Sequence, residues 1–543
     1  MVDRFANGDR SNDSSIDPND PAAFHGGDLQ GVIDHLDELQ DMGVSTIWLS
    51  PIFSMRTEKF FGHGAFHGYW VEDFTQIEPR FGDKALLVRL SDELHRRGMK
   101  LVLDIVLNHV AMDSPRVMAT PNWFHGKGAL QNWNDPVELT THDVHGLPDL
   151  DQNNPEVADY LLSTSLKWIE EVKPDGFRLD AVKHISDDYW ARYNDAIIDA
   201  AGPEFLLLGE LLDGDPRQIA QTERKGKFNA MFDFPLYFAL IDVFCRGQSP
   251  TKLAAVFSSD RIYDHPEALV TILDNHDLPR VTSDCGGNLD KVRQALTFQL
   301  TSRGTPTINY GTEAALTGQS EPANRSDMRF DVQPLRAHIQ KLLSLRASHS
   351  SLQSGAPLLL HVASEKLVYA RVAQNEIALI AVNTSETEQT FELPDLLEGS
   401  RVIDAQNVDV ASIRVPPKST QLFFVQPNQR DGFEALATRA DEQWKKGSNK
   451  REVRFQARGL KLKKGERAYL VGSGLEMGVW KPENGLGPLD KRGRLTALLP
   501  VSSAYEFKLV VRGADGSMRW AEGDNGTLFI ADEAAPLEVT VDW

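Results

Sequence analysis

The sequence predicts an α/β chain built on a (β/α)8 barrel, with two β-sandwich units behind it. Three observations lead there. Apolar runs of strand length recur through about the first 350 residues, each closing on charged or amide side chains, and amphipathic helical stretches separate them. From about residue 354 the pattern changes to short alternating segments with turn residues between them. A near-continuous apolar run that surfaces only at its carboxyl end is the mark of a parallel strand buried on both faces.

Four runs carry the functional argument. They are Leu101 to His109, with Asp104 and Asn108 inside; Gly176-Phe177-Arg178-Leu179-Asp180; Leu206-Leu207-Leu208-Gly209-Glu210; and Ile272 to Asp277, which ends Asp274-Asn275-His276-Asp277. Alternate residues leave a strand on one face, so Arg178 and Asp180 share a surface. Taken alone, that pair serves equally well as an ion pair capping a strand. The intervals say more: Asp180 and Glu210 are about 30 positions apart, one strand-helix unit, and Glu210 and Asp277 about 67, two units. Asp104 and Asp180 are about 76 apart, which requires an insertion, placed at 111–155. Charges stacked at the same end of successive barrel strands read as catalytic.

In this order and at these intervals, the four stretches resemble the signature regions of glycoside hydrolase family 13, the α-amylase family. The resemblance implies that Asp180 is the nucleophile, Glu210 the acid/base and Asp277 a third carboxylate that stabilises the transition state. It implies that Arg178, His109 and His276 contact the sugar or hold those carboxylates. His67 and Tyr69, in His67-Gly68-Tyr69-Trp70, would contact the glucose whose bond is cut, while Trp70 reads as packing and Asp104 as a support for Arg178. Lys183-His184 matches the pair of α-1,4-acting amylases and also of cyclodextrin glucanotransferases. Arg325, in Glu321-Pro322-Ala323-Asn324-Arg325, would grip the next glucose outward; the family more often has Asp where this chain has Glu321. In a retaining glycosidase one carboxylate attacks while the other gives its proton to the leaving oxygen. Asp180 is then expected ionised beside Arg178, and Glu210 protonated because the charges of Asp180 and Asp277 raise its pKa.

Asn7, Asp9, Asn12 and Asp13 cluster near the start of the chain, and Gly26-Gly27-Asp28 follows. Such a cluster suits a polar turn for backbone reasons and also supplies the hard oxygens that calcium requires. Similarity to a calcium loop of cyclodextrin glucanotransferases implies the second, with Asn7, Asp9, Asn12, Asp13, Asp28 and the Gly26 carbonyl as ligands. Asn108, Asp149 and the His184 main-chain carbonyl match a second calcium site, where the 111–155 insertion meets the barrel. Trp123, Trp133, His142 and His145 in that insertion read as packing.

Met1 to Asp9 resembles the end of the family's first barrel strand and the loop after it, and almost nothing precedes it. The chain is therefore expected to lack its first strand, and a secretory leader would lie upstream of Met1. The barrel is expected over 1–110 and 156–353, a β-sandwich over 354–426, and a linker over 427–450 in which Phe433, Leu436, Ala440 and Trp444 form a helical stripe. Residues 451–543 resemble a family 20 carbohydrate-binding module of the starch-binding type. Trp480, Lys508, Trp520 and Asn525 are the positions that match its sugar contacts.

Composition limits the alternatives. With 543 residues, 41% hydrophobic and 25% charged, the chain has the makeup of several folded domains, and a formal charge of −21 argues against nucleic-acid or anionic-membrane partners. No apolar run reaches membrane-spanning length. Cys245 and Cys285 are the only cysteines; one bridge or two buried thiols are both open, and thiols are preferred. The expectation is a secreted, monomeric endo-acting α-1,4-glucan hydrolase that binds calcium and starch. A transglycosylase of the cyclodextrin glucanotransferase type is the alternative; those enzymes usually carry an extra immunoglobulin-like domain for which 427–450 leaves no room. A non-catalytic starch-binding protein would not keep all three carboxylates.

Overall fold

The computed structural model describes residues 1–373, 376–393, 397–426, 430–441 and 449–543. Five parallel strands form one continuous sheet: β1 (Thr46–Leu49), β2 (Lys100–Ile105), β3 (Gly176–Leu179), β4 (Leu206–Gly209) and β5 (Ala230–Met231). A parallel bridge from Phe232 to Val270 carries the curve on to β6 (Val270–Thr271), which pairs with β7 (Thr305–Pro306). Among the described residues β1 and β7 do not pair with each other. The first residues of the chain occupy the rim between them: Val2 N donates to Ser50 Oγ at 3.1 Å, and Arg4 O accepts from Met328 N at 2.8 Å. Arg4 is fully buried there beside Asp3.

Apolar side chains decide this architecture. The interior residues of β2 and β3 are buried on both faces, and helices such as Lys84–Arg96, Pro155–Val172 and Asp187–Ala201 turn their apolar stripes onto them. Most of these helices start on a side-chain cap, Asp83 on Leu86 N and Ser186 on Tyr189 N, which satisfies amides that the first turn leaves unpaired. β5 and β7 are only two residues long, because their flanks leave the ladder to form the rim loops. The segment before β1 forms two helices, Leu29–Asp34 and Leu36–Met42, interrupted where the His35 ring stacks on Phe330.

The insertion after β2 has little regular structure and is tied to the barrel by bridges between His109 and Asp149 and between Phe124 and Leu150. Beyond the barrel, a five-stranded antiparallel sheet runs in the order Ala356–Ala363, Lys366–Ala373, Glu376–Asn383, Ser419–Gln426, Arg401–Asp404, against a smaller pair of strands. Phe433, Leu436 and Ala440 of the helix Arg430–Asp441 pack into its core; Trp444 lies outside the described residues. No helix among the described residues is long and apolar enough to cross a membrane.

Cys245 and Cys285 form a disulfide, which overturns the preference for thiols. A separation of 40 residues carries no pairing signal; the contact arises because the turn Ile241–Cys245 packs on the short helix Val281–Asp284, bringing the two Cα atoms within 4.2 Å.

The C-terminal unit packs a three-stranded sheet (Arg494–Pro500, Lys450–Arg458, Leu537–Asp542) on a four-stranded one built around Ser503–Arg512. It sits directly on the barrel. Ala504 N donates to Ser258 Oγ at 2.9 Å, Arg261 pairs with Glu476, and Lys481 Nζ meets Asp215 Oδ2 at 2.8 Å.

Candidate active site and glucan-binding face

Arg178, fully buried near the end of β3, organises the site. Its Nη1 lies 3.0 Å from Asp104 Oδ1 and 2.5 Å from Asp180 Oδ1, and its Nη2 lies 3.1 Å from Glu210 Oε1. The strand periodicity that put Arg178 and Asp180 on one face therefore holds, and the adjacent strands β2 and β4 bring Asp104 and Glu210 to the same guanidinium. Asp180 is followed by Ala181 in a left-handed conformation, φ +53°, a strained choice for a residue with a Cβ. The strain has a consequence: it turns Ala181 N onto Glu210 Oε2 at 3.2 Å.

Asp277 enters from the loop after β6. His276 Nε2 holds its Oδ2 at 3.0 Å and Arg325 Nη2 its Oδ1 at 3.2 Å, while Arg325 Nη1 also meets Glu321 Oε1 at 2.6 Å. The Glu at position 321, longer than the usual Asp, thus still reaches the arginine. Asp277 remains 43% exposed at its side chain, whereas Asp180 and Glu210 keep only small openings to solvent.

Tyr69 closes one wall. Its hydroxyl donates to Asp104 Oδ2 at 2.8 Å, and its ring stacks with His276 at 4.8 Å and with His67 at 5.8 Å. Gly68 makes this possible: at φ +93° a Cβ would stand 2.1 Å from Pro51 O. His109 Nε2 shares a hydrogen bond with Tyr69 O at 3.1 Å, so it positions that wall. Trp48 Nε1 also donates to Asp104 Oδ2, at 3.0 Å. Sequence reasoning passed over Trp48, although a Trp near the end of an otherwise aliphatic strand is a signal. Lys183 is half-buried in the turn Val182–His184, and His184 Nδ1 bonds Leu139 O of the insertion at 2.9 Å. Trp133, expected to be packing, is 47% exposed and meets the His184 ring at 5.8 Å, nearly perpendicular to it.

Asp104, Asp180, Glu210 and Asp277 face Arg178 and Arg325 in this space, and the balance of burial against those charges sets the direction in which each carboxyl shifts. Burial raises the Glu210 pKa against the pull of Arg178, and Asp180 and Asp277 raise it further, so the direction expected for an acid holds while burial leads the cause. Burial also raises Asp180, with Asp277 adding to the rise, while Arg178 favours the ionised form as expected. Asp104 is pushed up to about 7 by burial, despite Arg178. At Asp277 burial is outweighed by His276, Arg325 and Arg178, which hold its carboxyl low. Burial depresses His67 and His276, and takes His109 and His184 to about 4, so these rings are neutral near pH 7.

The two clusters expected to hold calcium fare differently. In the first, Asp28 accepts from Gly8 N, Asp9 N, Gly31 N and Asn12 Nδ2, which occupies its lone pairs and makes it a cap and a tether. Asn7 Nδ2 donates to both Asp13 oxygens, and Asp9 Oδ1 accepts from Ser11 N and Ser11 Oγ. Gly26 packs against Asn7 and Asp13, and only Asn12 Oδ1 is left buried without a partner. This arrangement, closed on itself by hydrogen bonds, does not fit the calcium set as expected. The second cluster fits. The Asn108 side-chain amide lies 2.9 Å from His184 O and 3.3 Å from Asp149 Oδ1; the amide oxygen faces both, and only exchange of the amide nitrogen into that place would make these contacts hydrogen bonds. A hard cation would satisfy the same three oxygens. Among the described residues no group of three or more His, Cys, Asp or Glu side chains is placed to hold a metal.

In the C-terminal unit, strand register puts the sugar-contact candidates on one face. Lys508 pairs with Val471, Val510 with both Tyr469 and Trp520, and Trp480 packs on Tyr469, Val471 and Val510. Lys508 Nζ donates to Gly523 O at 2.7 Å, and Asn525 Nδ2 to Glu506 Oε2 at 3.4 Å on the same face. Trp520 is 41% exposed. Two indoles on one sheet face, one of them open to water, form a platform of the kind that stacks on sugar rings.

Comparison with known proteins agrees with both halves. Residues 1–344 match the family model for the α-amylase catalytic domain, and residues 450–540 match that for a starch-binding domain. A β/α-amylase of Paenibacillus polymyxa is 32% identical over 456 residues, covering 78% of this chain and 37% of that protein. The crystal structure of an Anoxybacillus α-amylase superposes with a TM-score of 0.75 at 36% identity, over 79% of this chain and 97% of that one. A cyclomaltodextrin glucanotransferase, CldA, described as having a three-domain ABC distribution, superposes with a TM-score of 0.71 at 28% identity, over 78% and 97%.

Proposed function

The chain belongs to the α-amylase family of glycoside hydrolases and carries a starch-binding domain; from that premise we propose that it is a retaining, endo-acting α-1,4-glucan hydrolase. The observation that carries the reading is Arg178 between Asp180 and Glu210. Two carboxyls bridged by one guanidinium favour the separation of a retaining pair, about 5 Å, over the roughly 6.5–9.5 Å that an inverting pair needs to admit water. In this reading Asp180 attacks the anomeric carbon while Glu210 gives its proton to the leaving oxygen. Water, deprotonated by Glu210, then releases the sugar. Asp277, kept ionised by His276 and Arg325, offsets positive charge on the oxocarbenium-like sugar. Tyr69 and His67 form the wall on which the reacting glucose rests, and Lys183 and His184 hold the sugar beyond it.

Calcium at Asn108, Asp149 and the His184 carbonyl would tie the insertion to the barrel and take no part in the chemistry. The disulfide and a polymeric substrate favour a location outside the cytoplasm.

A second reading, transfer to a sugar hydroxyl, shares every residue. The missing immunoglobulin-like domain does not separate the two, since CldA is described as a glucanotransferase with only three domains. Chromatography of products from soluble starch distinguishes them. Linear maltooligosaccharides of mixed length with new reducing ends are expected early; cyclic or rearranged products without new reducing ends favour transfer, and starch recovered unchanged contradicts both.

A further inference from the structure

The rim loop between the strands Phe53–Met55 and Val71–Ile77 ends in a turn that stability alone does not explain. Phe60 and His63 exchange backbone hydrogen bonds of 2.7 and 2.9 Å, and the two residues between them, Phe61 and Gly62, both have positive φ, +48° and +84°. Such a two-residue hairpin turn suits Asn-Gly and strains a bulky residue at its first position. Phe61 stands there nonetheless, with its side chain 84% exposed. Strained backbone and a ring held in water both act against folding, and their coincidence marks a place kept for contact with something else.

The turn is not loose. Lys59 pairs with Asp20, Gly64 N donates to Ala22 O at 2.7 Å, and the Arg56 guanidinium lies 5.7 Å from the Phe60 ring. Behind it an unbroken row of rings runs into the active site. Phe61 meets Phe60 at 4.3 Å, Phe60 meets Trp70 at 5.6 Å, and Trp70 meets His67 at 4.8 Å. His67 and Tyr69 follow at 5.8 Å, then Tyr69 and His276 at 4.8 Å, beside Asp277.

We propose that Phe61 is an outer platform for the α-glucan, stacking on a glucose several units away from the bond that is cut and so setting a preference for long chains. The occupant follows from continuity: the ring row starts at the wall assigned to the reacting glucose, and pyranose faces are the apolar surfaces that an exposed aromatic ring takes. The inference rests on the α-glucan reading above.

Two substitutions test it in the full-length chain. Phe61→Asn removes the ring but suits the turn, and Phe61→Trp keeps a platform. For Phe61→Asn the expected result is a KM for soluble starch raised about fivefold, kcat within about twofold, and unchanged kcat/KM on maltotriose. Its melting temperature is expected to equal or exceed that of the parent, and Phe61→Trp is expected to keep the parent's KM. A starch KM unchanged in Phe61→Asn overturns the proposal, as does an equal loss on maltotriose. A parent chain that releases no sugar from starch sinks the underlying reading as well, so the two failures are told apart by the parent alone.

Discussion

Arg178 Nη1 lies 2.5 Å from Asp180 Oδ1 with both side chains enclosed, and the same guanidinium serves two further acids. Its replacement leaves a cluster of buried carboxyls without a counter-charge. Arg178→Met is expected to lower stability by about 3–5 kcal/mol, read from urea unfolding, and to abolish measurable hydrolysis. Arg178→Lys is expected to rescue little, because a single ammonium cannot span Asp180 and Glu210 as a planar fork does.

The pH profile follows from the same cluster. Activity requires Asp180 ionised and Glu210 protonated, so the acid limb reports deprotonation of the first and the alkaline limb loss of the proton from the second. Asp277 is one of the charges that raise Glu210. Removing it in Asp277→Asn lowers the Glu210 pKa, and the alkaline limb of the residual activity is expected to move to lower pH. A profile on an aryl maltooligosaccharide checks this; a limb that stays or moves upward goes against it.

Trp480→Ala and Trp520→Ala are each expected to weaken adsorption to starch about tenfold while leaving kcat/KM on maltotriose within about twofold. Trp520, the more open ring, is the cleaner test, since Trp480 also packs on the sheet and lies next to Lys481, which anchors the unit to Asp215.

If the oxygens of Asn108, Asp149 and His184 hold calcium, a chelator is expected to lower the melting temperature by about 5 °C or more, reversed by added calcium. Asn108→Ala is expected to lose that response. An identical melting curve with and without chelator would remove calcium from this account.

What could be read from the sequence was whatever strand geometry dictates. Arg178, Asp180 and Glu210 meet because period-two alternation and parallel pairing leave their side chains no other surface. Loop residues such as His67, Tyr69 and Arg325 were legible only through the family resemblance, and loop contacts outside it were not. The Cys245–Cys285 bridge depends on how one turn packs on one short helix, and Phe61 is an ordinary phenylalanine until its φ and exposure are known. Asp28 was expected as a calcium ligand from the family resemblance alone; the same position starts a helix, and the amides of Gly8, Asp9 and Gly31 donate to its oxygens.

The most direct test of the central claim is the anomeric form of the first-formed product, followed by proton NMR during hydrolysis of maltoheptaose by the parent, Asp180→Asn and Glu210→Gln. The account predicts the α-anomer from the parent and a loss of at least about a thousandfold in each variant. First release of the β-anomer, or near-parental turnover by Asp180→Asn, would contradict it.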